Sequence, residues 1–214
     1  DIDIATGSAA DGTGVKLLTL GSGITKRLDA SWAVGTGNGG LDTGSIANTT
    51  YHMWLIMRSD TGVVDVLFST SASSPTMPTN YDYKRRIGSI LRVGATILAF
   101  RQKGDHFTLA NGINDWSSTA AAADGLLAVS VPLGIVVRPK ISIQQVQNGA
   151  GSVQTGIGDA GASSYPVMVT TKAAAEAGNA QTDLWFSNTS AQIQLICTIG
   201  SGTLTSNVLT TYGW

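Results

Sequence analysis

The chain is poor in the residues from which reaction centres are usually built. It has one cysteine, Cys197, two histidines, His52 and His106, and a single glutamate, Glu176, among its 14 acidic residues. A glycosidase of the usual kind needs two carboxyl groups converging on one bond. Here the aspartates mostly sit beside Gly or Thr as turn formers, as at Asp60, Asp105 and Asp124, so that supply is thin. A lone cysteine closes no disulfide within the chain, and its setting in "QIQLICTIG" reads as a buried thiol in a strand. The two histidines fall in separate expected strands with no Cys or Glu at ligand spacing, so no structural zinc site is legible. A Ser-His-Asp triad is spatial and composition leaves it open, but no "GxSxG" elbow occurs. We therefore expect no enzyme, no metal and no cofactor.

Charge is scarce as well. Only 13% of the residues are charged, about half of the usual ~25%, and the formal net charge is −1. No global field draws the chain to nucleic acid or to an anionic membrane, and neither is expected as a partner. Ser, Thr, Asn and Gln must keep the surface wet, which suits extracellular or particle-borne β proteins that carry sugars or pack against their own copies. The 214 residues hold no signal-peptide pattern and no apolar run long enough to span a bilayer. The chain opens on Asp1 rather than Met, from which we expect a fragment or processed product.

What the sequence does have is glycine, 26 residues of it, cutting short apolar or alternating runs such as "YHMWLIMRS" (51–59), "VVDVLFST" (63–70), "KISIQQVQ" (140–147) and "QIQLICTI" (192–199). Many strands with brief gaps imply antiparallel pairing, since parallel neighbours need long crossovers. Asp60-Thr61-Gly62 and Lys103-Gly104-Asp105 read as hairpin turns, and Ser69 to Tyr83, with two prolines, as an exposed excursion. Two stretches have a helical look. In "ITKRLDASWAV" Ile24, Leu28 and Trp32 recur at i, i+4 and i+8, just before the glycine-rich "GTGNGG"; "TTKAAAEAGNAQ" (170–181) is alanine-rich and ends on Gly-Asn. The expected fold is one all-β domain over 1–214: an antiparallel β-sandwich of jelly-roll or lectin-like type with one or two short helices, 1–44 forming an N-terminal connecting and oligomerising segment.

Two places could carry contacts. "YDYKRRIGSILRVGATILAFRQK" concentrates Lys84, Arg85, Arg86, Arg92, Arg101 and Lys103 beside Tyr81 and Tyr83, a group able to meet an anionic saccharide or nucleic acid, unless alternation along strands divides the side chains between faces and nearby acids pair them. "NGINDWSS" sets Trp116 among Asn111 and Asp115 in what reads as a loop, a stacking plane beside hydrogen-bonding groups; the same tryptophan could instead tuck under its loop or into a neighbouring subunit. Tyr81, Tyr83, Arg85, Asn111, Asp115 and Trp116 are the expected contact residues. "GTGNGGLDTG" lacks the lysine of a phosphate-cradling loop and the repeat of a calcium site, and reads as turn chemistry.

Three blocks, "DIDIATGSAADGTG", "LTLGSGITKRLDASWAVGTGNGGLDTGSIANTTYHMWLI" and "RSDTGVVDVLFSTSASSPTMPTNYDYKRRIGSI", resemble a module of tail-fibre and related structural proteins of bacteriophages and prophages. The likeness is close through Ile90 and looser beyond, where "GIVVRPKIS" and "LTTYGW" carry it. It implies a virion component of the phage tail, exposed to the medium, trimeric, bound to other virion proteins and contacting a bacterial surface glycan or protein. A collar, baseplate or head-decoration part without a ligand is the alternative, and a polysaccharide hydrolase a more distant one. The motifs are not catalytic, and no site residue is carried over.

Overall fold

The computed structural model describes residues 1–165, 167–173 and 176–214. The chain divides into two compact units, Asp1–Ile97 and Leu98–Trp214.

The first unit contains β1 (Ile2–Ile4), β2 (Gly7–Ala10), β3 (Leu17–Leu20), β4 (Ile24–Ser31), β5 (Gly39–Leu41), β6 (Thr50–Arg58), β7 (Val64–Ser69), β8 (Tyr81–Val93) and β9 (Thr96–Ile97). Strands β2 and β3 pair with each other, and the rest form one sheet in the order β1-β4-β5-β7-β6-β8-β9. The Asp-Thr-Gly turn joins β6 to β7 as a hairpin whose pairs run from His52↔Ser69 to Met57↔Val64. Trp54, Ile56, Leu67 and Tyr81 form the core beneath it, with Trp32 and Met77 packed against them.

This sheet is mixed, which corrects the antiparallel sandwich expected from sequence. β5 lies parallel to β4 (Arg27↔Gly39, Ser31↔Leu41) and parallel to β7 (Leu41↔Phe68). The chain returns over residues 32–38 alone, helped by Gly35 and Gly37 at φ 94° and 75°, conformations that cost glycine little. Glycine is needed again inside β5. A Cβ on Gly39 would overlap the Ser31 carbonyl oxygen, and one on Gly40 would stand 2.7 Å from the Phe68 ring. The run "GTGNGG" is thus what lets a three-residue strand enter between β4 and β7.

The expected helices are absent among the described residues. Ile24 to Ser31 is strand β4, in which Ile24, Lys26 and Leu28 are buried in alternation. A spacing of four satisfies a two-residue period as well as a helical one, and the residue that separates the two readings is Lys26, polar by type yet fully buried. In the alanine-rich stretch, Thr170 and Thr171 close one strand and Ala177 to Gln181 belong to the next; Ala174 and Ala175 lie outside the described residues. Pairing with a neighbouring strand overrides the helical preference of alanine there.

The second unit contains β10 (Phe100–Lys103), β11 (His106–Ser118), β12 (Ala122–Ala128), β13 (Lys140–Asn148), β14 (Val153–Gly158), β15 (Val167–Thr171), β16 (Ala177–Thr182), β17 (Gln192–Ile199) and β18 (Thr203–Gly213). They form a five-stranded sheet, β10-β11-β18-β13-β16, and a four-stranded one, β12-β17-β14-β15. Lys103-Gly104-Asp105 joins β10 to β11 as a hairpin. Val153, Cys197 and Leu204 cluster between the sheets, beside a chain of fully buried polar side chains. Asn207 Nδ2 donates to Thr155 Oγ1 (2.6 Å), and that hydroxyl donates to Gln145 Oε1 (2.7 Å). Gln145 Nε2 donates to Thr171 Oγ1 (2.7 Å), which donates to Gln147 Oε1 (3.0 Å). Gln147 Nε2 closes the chain on the Gly151 carbonyl (2.8 Å). Each side-chain link crosses from one sheet to the other.

Candidate functional site

The six expected contact residues fall three in each unit. Tyr81 is 4% exposed and belongs to the first core, its ring edge-on to Trp32 at 5.1 Å. Burial, then the negative charge of Asp65, push its phenol above the ordinary value. Tyr83 is half-buried, with Lys16 Nζ 5.8 Å from its ring centre. Arg85 is exposed. In the second unit the "loop" of Asn111 to Ser118 is the far half of strand β11. Asp115 is fixed there by the backbone N–H and hydroxyl of Ser130 (3.0 and 2.6 Å) and by the Thr211 hydroxyl. Trp116 packs on the Val153–Cys197–Leu204 cluster, and Asn111 is exposed.

Arg85 leads to a concave site of the first unit. Lys84, Arg85 and Arg86 on β8, Trp54 on β6, Ala72 and Gly12 line a pocket of about 420 Å³. Simple alternation would divide three consecutive cations between two faces. All three nevertheless line the pocket; their register opposite β6 is regular, and just beyond Arg86 the extra residue Ile87 bends the strand.

The pocket is cationic and uncompensated. Among the described residues the ion pairs are Lys26–Asp65, Arg27–Asp29 and Arg58–Asp60, none of which involves these three cations. Burial first, and the charge of Arg85 second, hold the Arg86 guanidinium below its ordinary pKa. Two like charges side by side raise the demand for an anion. Arg86 Nη1 donates to the Ala72 carbonyl at 2.8 Å, which fixes one wall, and Lys84 Nζ lies 5.8 Å from the Trp54 ring centre. Trp54 is 6% exposed and its indole N–H has no acceptor among the described residues.

The opposite wall is the turn after β2. The Asp11 carboxylate points into its own turn, accepting from the Lys16 and Thr13 N–H groups (2.8 and 3.0 Å) and from the Thr13 hydroxyl, while Gly12 N–H donates to the Lys84 carbonyl at 2.9 Å. The Lys16 N–H and then the Thr13 hydroxyl hold the Asp11 carboxyl down at about 2, from an ordinary 3.8. A depressed folded pKa contributes stability above the unfolded value, and that contribution disappears as the pH falls through the folded one. The turn is therefore expected to stay closed at pH 3 and to open on approach to pH 2, in a transition absent from Asp11→Asn. The amide shifts of Thr13 and Lys16 in an NMR titration check this, and opening already at pH 4 would contradict it.

The signal for this pocket was partly present in sequence, as the run "KRR"; Trp54 and Gly12 carried none, since each comes from a different part of the chain. The geometry is that of an all-β chain with a cation-lined pocket in its first unit. Comparison of the chain with protein-family models, curated proteins and solved structures gave no match.

Proposed function

We propose that this protein is a non-enzymatic binding module of tail-fibre type, a virion component that contacts the bacterial surface as a homotrimer joined to other virion proteins, and that its first unit receives anionic groups of a surface glycan. The sequence blocks that resemble phage fibre proteins support the setting. The observation that carries the binding role is the pocket lined by Lys84, Arg85 and Arg86 beside Trp54, with no acid paired to the three cations among the described residues. Carboxylate, phosphate or sulfate substituents suit it, because the guanidinium forks and the lysine ammonium are all charged donors. Three weak sites on one trimer would act together and raise avidity without a deep pocket.

The test is retention of the chain on intact bacteria and on acidic polysaccharides at low and high salt. Lys84→Glu/Arg85→Glu is expected to weaken retention at least tenfold, and the unmodified chain to lose its grip as salt rises. Arg86 is left in place because it fixes Ala72. Retention that ignores both the substitutions and the salt would remove the reading. A trimer that holds no cell and no acidic glycan would favour an architectural part of the particle.

A further inference from the structure

The five-stranded sheet of the second unit has a different kind of cleft. Between Thr108↔Gly213 and Ile113↔Thr211, residues Leu109 to Gly112 of β11 stand against Tyr212 alone. Gly112 leaves open the space that the Tyr212 ring occupies. A Cβ on Gly112 would lie 2.6 Å from Tyr212 Cε1, 2.9 Å from Cδ1 and 2.7 Å from Thr210 Cγ2. The ring is thus seated on backbone while it remains 42% exposed. Beside it Lys140, Ile141, Gln181, Thr182 and Asp183 complete a cleft of about 360 Å³.

Its chemistry differs from that of the cationic pocket. Lys140 Nζ is held near the Phe107 carbonyl (3.3 Å) and the Thr108 hydroxyl (3.2 Å), and one carboxylate, that of Asp183, lines the same cleft. The Asp183 carboxylate and the Gln181 amide, both exposed, have no hydrogen-bond partner among the described residues. A seated aromatic plane beside a free acceptor pair and an amide that both donates and accepts suits a ligand with one apolar face and a rim of hydroxyls. The volume is at the small end for ligand sites, the size of one or two sugar rings. We propose that this cleft binds a neutral pyranose unit of a glycan, its C–H face on Tyr212 and its hydroxyls on Asp183, Gln181 and Lys140. The site lies in the second unit and stands whether or not the first unit takes anions.

Saturation-transfer NMR of the full chain with methyl glycosides of glucose, galactose, mannose, rhamnose and N-acetylglucosamine tests it. At least one glycoside is expected to receive saturation, strongest at its ring C–H protons. Tyr212→Ala should weaken that ligand about tenfold, and Tyr212→Phe should keep it within about threefold. Gly112→Ala, whose Cβ meets the Tyr212 ring and the Thr210 methyl, should act like Tyr212→Ala with the circular dichroism unchanged. Lys84→Glu/Arg85→Glu should have no effect on it. Absence of transfer to every glycoside, or equal binding by Tyr212→Ala, overturns the proposal.

Discussion

Asp65→Ala is expected to destabilise the first unit by about 3–5 kcal/mol, the usual cost of stripping a buried charge of its partner. Lys26 and Asp65 are 0% and 1% exposed and meet at 2.9 Å. Asp65 also accepts the N–H groups of Gly35 (2.7 Å) and Val66 (2.6 Å), and so ties the return loop over 32–38 to β7. Without it Lys26 keeps the Ala33 carbonyl at 2.6 Å and the Trp32 ring face at 5.4 Å. Neither is a counter-charge, and the Gly35 N–H loses its acceptor. Lys26→Met should cost less, because the stranded carboxylate retains two N–H donors. Lys26→Met/Asp65→Leu should recover part of the loss but not all, since an apolar side chain cannot accept from Gly35. Urea unfolding followed by tryptophan fluorescence measures all three, and a loss below about 1 kcal/mol for Asp65→Ala would contradict the assignment.

Gln145→Leu should have a comparable effect on the second unit, about 3 kcal/mol, or a melting point lower by roughly 10 °C. Gln145 stands in the middle of the buried chain. Its loss takes the acceptor from the Thr155 hydroxyl and a donor from both Thr171 and the Val153 carbonyl, at 2.7, 2.7 and 2.9 Å. Leucine is close in volume, so packing changes little and the orphaned polar groups dominate. Asn207→Ala, at the end of the chain, should cost less, because the Asn207 carbonyl oxygen is already without a partner. Equal losses at the middle and at the end, in a calorimetric series, would show that the five groups act separately.

Local features of the fold were legible and non-local ones were not. Asp60-Thr61-Gly62 and Lys103-Gly104-Asp105 announced their hairpins because turn chemistry is written in adjacent residues. β4 was misread because Ile24, Leu28 and Trp32 fit both periods, and only tertiary structure reveals that Lys26 faces inward to Asp65. β5 is three residues long, its pairing set by strands on either side, and nothing in "GGL" states a partner. Asn111 to Trp116 reads as a loop by composition, yet β18 pairs with its far end across two irregularities in register. The charge run Lys84 to Arg86 was visible, whereas its pocket depends on Trp54, Ala72 and Gly12, which come from other parts of the chain. Tyr212 and Gly112 lie far apart in sequence and meet only because β11 lies beside β18; an isolated glycine within a strand was the one available hint.

The buried polar chain has one more property, which follows from its direction. From Asn207 to Gln147 every link donates the same way, and every link joins opposite sheets. Turning over the Gln145 amide alone would bring its nitrogen against a hydroxyl that donates and its oxygen against one that offers no hydrogen. The neighbouring hydroxyls and then the next amide would have to reverse with it. The orientation of the five groups is therefore set as one unit, and the Val153 and Gly151 carbonyls, which can only accept, fix its sense; the aligned dipoles reinforce one another. Sliding one sheet past the other would break that alignment at every rung at once, so the joint between the sheets behaves as a keyed lock rather than a greased contact.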